Sequence, residues 1–186
     1  MPKLEQPDLI KTADLSLRKL RLSDAKSIHA KFYQPEILKW MFFQPRKNFS
    51  PEDQKEWIKK ILAKSKEHRV YVFGITLPSS NEIIGIISLE KFNWANKNAQ
   101  IGYWLTKEHW GKGIIPKAVK TILNFAFKKL RLHRVYGAVF SENLKSQKVL
   151  EKCGFTKEGT TRHATYRFRR WHDKIRYGIL DFEFKK

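Results

Sequence analysis

The residues best suited to chemistry in this chain form a short run, Trp110, Gly111, Lys112, Gly113, Ile114 and Ile115, just ahead of a long apolar stretch. Glycine accepts left-handed backbone and brings the main chain close to a partner. Two glycines between the end of a strand and the start of a helix therefore let unpaired amides and the positive helix end converge on an anion. Pyrophosphate is the anion that such a cradle of amides suits. An ordinary strand-to-helix connection has the same composition, so the run alone leaves both readings open. It is not a P-loop, which needs G-x-x-x-x-G-K-[ST], nor a dinucleotide fingerprint, because Pro116 stands near where a third glycine belongs.

A second polar pair lies one strand downstream. In "SENLKSQKVLEKCGF", Asn143 and Ser146 open a helix, and a parallel crossover brings that helix start alongside the glycine turn. Each residue also has a plain structural reading. Asn143 is a good N-cap, Ser146 a first-turn hydroxyl bonded locally, and Gly154-Phe155 a Schellman ending with its hydrophobic contact.

The elements that must position these groups follow from periodicity. Residues 15–22 alternate as a half-buried strand, Ser23-Asp24 caps a helix running to about Tyr33, and Pro35 stops it. Ser50 and Pro51 open a second helix with Trp57, Ile58, Ile61 and Leu62 as its apolar stripe. Residues 69–76 and 82–90 form a hairpin, and 99–105 a third strand of that group. A helix over 116–130, a strand over 133–140 and a helix over 143–155 precede two final strands. Strand, helix and strand over 99–140 make one parallel crossover unit. With no repeat, low-complexity tract or linker, the reading is a single domain over 1–186.

Composition narrows the partners. Lys plus Arg is 38 against 18 for Asp plus Glu, a formal charge of +20, in a chain of 186 residues. Such a surface attracts phosphates, nucleic acid or acidic proteins and repels polycations, though it also serves simply to keep a protein in solution. A lone Cys153 excludes an internal disulfide, and six scattered histidines give no metal spacing. The N-terminus lacks an apolar h-region and no stretch is apolar enough to span a bilayer, which predicts a soluble cytoplasmic protein without membrane contact.

Taken together, "LRKLRLSDA", "GYWL", "HWGKG", "LHRV", "ENLKSQKVLEKCGF" and the late "HD" resemble the GNAT superfamily of acetyl-coenzyme A dependent N-acetyltransferases. Within it the chain is similar to the Rim-type ribosomal-protein N-acetyltransferases, over nearly its whole length and in the same order. The resemblance implies an α/β (α+β mixed) fold: a central, mixed, twisted sheet of about seven strands flanked by about four helices. It implies acetyl-coenzyme A (acetyl-CoA) as co-substrate, bound by Trp104, Leu105, Trp110, Gly111, Lys112, Gly113, Ile114, Ile115, Asn143 and Ser146. The strands at 99–105 and 133–140 would splay, with pantetheine between them. The Leu105 backbone would stabilise the oxyanion, Asn143 would hold pantetheine, and Ser146 would donate a proton to the departing thiolate.

The sequence also departs from the family. Ile115 replaces a small residue, Pro116 has no amide, and Leu150 stands where many relatives carry a proton-donating tyrosine. Two acidic positions fall on Gln100 and Thr165, which leaves Glu90, acting through water, as the candidate base; a solvated strand-end acid is the alternative. A chain without a strong base suits an α-amine. At pH 7 an α-amine near pKa 7.8 is roughly 14% neutral, against about 0.04% for a lysine amine. With the charge opposing polyamines, the expected acceptor is the N-terminal α-amine of a protein, ribosomal by resemblance. A small-molecule amine, and a catalytically silent module that binds CoA or RNA, are the alternatives. "YRFRRWHDKIR" interleaves rings with cations as a single-stranded RNA surface does, with Arg167, Arg169 and Arg170 as the contacts. The competing expectation is a solvated hairpin whose Phe168 and Trp171 pack inward. "WMFF" (40–43) is expected in the core, with a wall of the acceptor site as the alternative. The oligomeric state is left open.

Overall fold

A computed structural model of the chain describes residues 4–43, 46 and 48–185. In chain order the elements are β1 (Leu9–Lys11), β2 (Ser16–Lys19), α1 (Ala25–Phe32), α2 (Pro35–Leu38), α3 (Pro51–Lys66), β3 (Tyr71–Thr76), β4 (Gly85–Asn93) and β5 (Asn98–Leu105). They continue with α4 (Ile114–Asn124), β6 (Arg134–Phe140), α5 (Leu144–Lys152), β7 (Thr156–Arg167) and β8 (Arg170–Leu180). One sheet takes all eight strands in the order β1-β2-β3-β4-β5-β6-β8-β7. Every neighbouring pair is antiparallel except β5 with β6, so the sheet is mixed, as expected.

Alternation along the strands divides the core in two. On one face Phe73, Ile87, Leu89, Ile101 and Val135 meet the stripe Ala118, Val119, Ile122 and Leu123 of α4. On the other, Val72 and Ile86 meet Ile28 of α1 and Ile58 of α3. The α3 cap is reciprocal. Ser50 Oγ accepts from the Asp53 amide at 3.1 Å, and Asp53 Oδ2 accepts from the Ser50 amide at 2.8 Å. Arg18 on β2 donates twice to Asp24, at 2.9 and 2.7 Å, and so ties the sheet to the entry of α1.

Several boundaries differ from the sequence reading, among them β4, expected over 82–90 and found at Gly85–Asn93. Pro35 does not only end a helix but begins α2, where its missing amide costs nothing. The helix expected over 116–130 begins earlier, at Ile114, and its last turn over Phe125–Lys129 widens to π, with the Leu130 amide donating to the Phe125 carbonyl at 3.1 Å. An eighth strand, β1, is only three residues long and is defined by pairing with β2 rather than by a pattern of its own.

Candidate active site

The site is a gap in the sheet. β5 and β6 pair over only three residues each, Asn98–Gln100 with Arg134–Tyr136, and then part, while β5 runs on to Leu105 and β6 to Phe140. In an antiparallel ladder, successive residues point their amide and carbonyl to opposite sides. The Thr106 amide donates to the Ile84 carbonyl at 2.9 Å, towards β4. Leu105 and Tyr103 therefore direct their backbone groups away from β4 and into the gap. The Leu105 carbonyl there accepts from the Trp110 indole Nε1 at 2.8 Å. Its amide is left facing the space between the strands.

At the end of β5 the chain turns into α4 through Gly111 and Gly113, with φ of 77° and 72°. Only glycine holds these left-handed values without strain. An added Cβ at either would meet nothing within 4 Å, so backbone conformation and not internal packing selects glycine, and the space before the loop is open. Gly113 caps α4 without a side chain, and the first turn closes only when the Lys117 amide reaches the Gly113 carbonyl at 3.3 Å. The Ile114 and Ile115 amides are thus among those a helix start leaves without an intrahelical partner, and Pro116 removes one that would be orphaned anyway. The side chains of Ile114 and Ile115 point into the core, so the bulk of Ile115 stays off the open side of the loop. Lys112 is exposed at the loop, and the Lys145 ammonium sits 5.2 Å over the Trp110 ring. Open space, uncapped amides and two nearby cations are the donor set that a diphosphate needs.

Across the gap, Asn143 caps α5 by accepting from the Ser146 amide at 3.1 Å, which leaves its amide NH2 to donate elsewhere. Ser146 Oγ lies 2.8 Å from the Tyr103 hydroxyl, so β5 and α5 are bridged on the α4 side of the sheet. Leu150 is buried in the core and Cys153 packs beside it, its thiol pushed up to about 11 by burial.

On the opposite face Glu90 stands in register with Gln100, and Ser88 with Gly102. An added Cβ at Gly102 would come 3.1 Å from Ser88 Oγ and 3.4 Å from Glu90 Oε1, so the carboxylate leans over β5 just past its last pairing with β6. Burial holds Glu90 above the usual carboxylate range, against the pull of Lys91. Phe42 packs edge-on against Phe140 at 4.8 Å, and the Lys174 ammonium sits 4.0 Å over Phe42. Burial, then Lys91 and Arg176, lowers the Lys174 pKa.

The structure brings Leu105, the 110–115 loop, Asn143, Ser146 and Glu90 to the two mouths of one gap. Trp104 is not on the side of the glycine loop's helix α4: the strand's alternation turns its indole to the α1 side, the face that also carries Glu90, 5.4 Å from Phe32, and its backbone points towards β4. "WMFF" is not core either: Met41 and Phe42 are half-buried and Phe43 is exposed, because the segment lies over the open end of the sheet. Phe168 and Trp171 do not pack inward but are 62% and 56% exposed. Arg167 turns inward instead and donates to the carbonyls of Leu38 and Met41. Thr165 pairs with His172 and donates to the Ala164 carbonyl. Sequence reasoning passed over Tyr103, Gly102, Lys145 and Lys174. A tyrosine on the buried side of a strand needs a polar partner, and a mid-strand glycine marks a close approach, so the first two had legible signals.

The acetyltransferase (GNAT) domain family matches residues 14–156. The uncharacterized N-acetyltransferase p20 of Bacillus licheniformis is 32% identical over 173 residues, 93% of this chain and 96% of that protein. The structure is similar to ribosomal-protein-S5-alanine acetyltransferase from Vibrio fischeri, with TM-score 0.85 and 27% identity over 96% of this chain and 99% of the other. It is also similar to spermidine N-acetyltransferase from Vibrio cholerae in complex with CoA and spermine, with TM-score 0.83 and 27% identity over 92% and 98%.

Proposed function

The chain belongs to the acetyltransferase (GNAT) family, an N-acetyltransferase with acetyl-CoA as co-substrate, and from that premise we propose that its acceptor is the N-terminal α-amine of a protein, a ribosomal one in particular. The observation that carries this reading is the acceptor mouth itself. A half-buried carboxylate, Glu90, leans over β5, and Lys91 and Arg176 act on Lys174 nearby. A polycation meets repulsion there, whereas an α-amine needs little help to lose its proton. Likeness to the S5-alanine enzyme points the same way and likeness to the spermidine enzyme does not; the cations around Lys174 support the first.

When bound, acetyl-CoA supplies the activated thioester. The amides of Gly111, Gly113, Ile114 and Ile115, with Lys112 and Lys145, hold its diphosphate. Asn143 holds pantetheine through its NH2, since its oxygen already caps α5. The Leu105 amide donates to the acyl oxygen as charge develops on it. Glu90 takes the amine proton through water, and the Ser146 hydroxyl donates towards the departing sulfur. Cys153 is no nucleophile: its thiol is raised to about 11 and buried against the Pro116 carbonyl, so transfer is direct.

Initial rates on N-terminal peptides, internal-lysine peptides and spermidine test the acceptor. The N-terminal peptides are expected to exceed spermidine at least about tenfold in kcat/KM, a difference of about 1.4 kcal/mol. Faster transfer to spermidine contradicts the acceptor reading, and CoA uptake without turnover on any amine contradicts catalysis.

The proposal extends to RNA contact near the ribosomal acceptor. The β7–β8 hairpin exposes Tyr166, Phe168 and Trp171, with His163 stacked 6.0 Å from Trp171, beside exposed Arg169 and Arg170. Such rings and cations suit single-stranded bases and phosphates. Binding of a single-stranded RNA probe should weaken steeply with salt, and about tenfold further in Arg169→Gln/Arg170→Gln. Arg167 is left intact because it holds the hairpin to residues 38–41. Salt-independent binding, or none, removes this part of the proposal.

A further inference from the structure

Tyr103 is the one residue on β5 whose side chain reaches across to α5 with a polar tip. Its hydroxyl lies 2.8 Å from Ser146 Oγ and 3.4 Å from the Ser146 carbonyl. The bridge lies beyond Gln100, where β5 has left β6, and so spans the floor of the gap. A phenol is a better donor than an alcohol, and Ser146 has a free choice of where to send its own proton. A serine in a first helical turn otherwise bonds a local backbone group.

We propose that Tyr103 is a positioning residue for Ser146: its O–H donates to Ser146 Oγ and so leaves the serine O–H directed into the gap, at the sulfur that departs. The inference rests on the acetyl-transfer reading above and goes beyond it. Accepting one hydrogen bond polarises the hydroxyl that gives the next, so the pair stabilises a thiolate better than serine alone. No proton need leave Tyr103. Burial pushes its pKa up, and Cys153 and Tyr177 beside it are pushed up to about 11 and about 12, so all three keep their protons through neutral pH; the charged groups next to them are Glu151, which accepts from Tyr177 at 2.9 Å, and Lys120, which acts on Cys153.

A plain structural hydrogen bond would satisfy a buried phenol equally well, and a double-mutant cycle separates the two. Tyr103→Phe is expected to lower kcat about tenfold with KM for acetyl-CoA changed less than about twofold. Ser146→Ala should cost about the same, and adding Tyr103→Phe to it no more than about a further twofold. A product of the two single losses overturns the proposal. A second readout is independent of turnover: calorimetry with CoA and with desulfo-CoA as the probe between about pH 6.5 and 9. Wild type should gain affinity for CoA over desulfo-CoA as the thiol ionises, and Tyr103→Phe and Ser146→Ala should each lose that gain. An equal gain in all three overturns the proposal. If Tyr103→Phe folds poorly, Ser146→Thr, which keeps the hydroxyl, must retain the gain. Absence of transfer by wild type to any amine defeats the acetyl-transfer reading, whereas the calorimetric comparison still decides the role of Tyr103.

Discussion

Gly113→Val is expected to raise the dissociation constant of CoA by about a hundredfold or more, while that of pantetheine, which lacks the diphosphate, changes less than about threefold. Two effects combine. Gly113 has φ of 72°, where an L-residue is strained by roughly 1–2 kcal/mol, so the variant turns its amides away from the present direction. The new side chain also enters space that the protein leaves open, with nothing within 4 Å of the Cβ position. Each charge-assisted hydrogen bond to the diphosphate is worth about 1.5–3 kcal/mol, and losing even one or two gives the stated factor. Gly111→Val should act in the same direction, since its φ is 77° and its Cβ position is equally open. Equal weakening for pantetheine would show that the loop shapes the whole groove rather than holding phosphate.

The second large effect is at Glu90. Glu90→Gln is expected to lower kcat/KM at pH 7 by about 10²–10³, the usual worth of a general base. The acid limb of the pH–rate profile should disappear with it. In wild type that limb lies above the ordinary carboxylate range, because burial raises the Glu90 pKa. The same shift fixes the sign of a stability change. A carboxylate whose folded pKa exceeds its unfolded value binds protons more tightly when folded, so the native state is penalised once pH rises through that raised value. Glu90→Gln should therefore melt higher than wild type at pH 7, and the difference should vanish at about pH 4 and below. A variant that is slower but more stable marks a group kept for chemistry. Full activity in Glu90→Gln would mean that solvent alone takes the proton.

Much of this architecture is legible in the sequence because periodicity and caps are local. The Ser50 cap, the stripe on α4 and the strand–helix–strand crossover needed no knowledge of distant partners. β1 escaped because three residues form a strand only when β2 supplies the ladder. Within the site, the glycines and the α5 cap announce themselves by composition. Trp104 and Phe168 do not, since the side of the sheet or hairpin to which a ring turns depends on what the other elements cover. Tyr103 and Ser146 are 43 residues apart, and only the parting of β5 from β6 explains why they meet. Lys174 acquires its part from Lys91 and Arg176 on other strands or positions, a coupling that no linear window contains.

All of the chemistry assigned here depends on where the diphosphate of CoA rests. A crystal structure of the protein soaked with CoA tests this most directly. Diphosphate oxygens about 2.7–3.1 Å from the amides of Gly111, Gly113 and Ile114 or Ile115, with the chain beyond them entering the gap past Leu105, are the expected result. Diphosphate bound away from the 110–115 turn, with the gap between β5 and β6 empty, would contradict it.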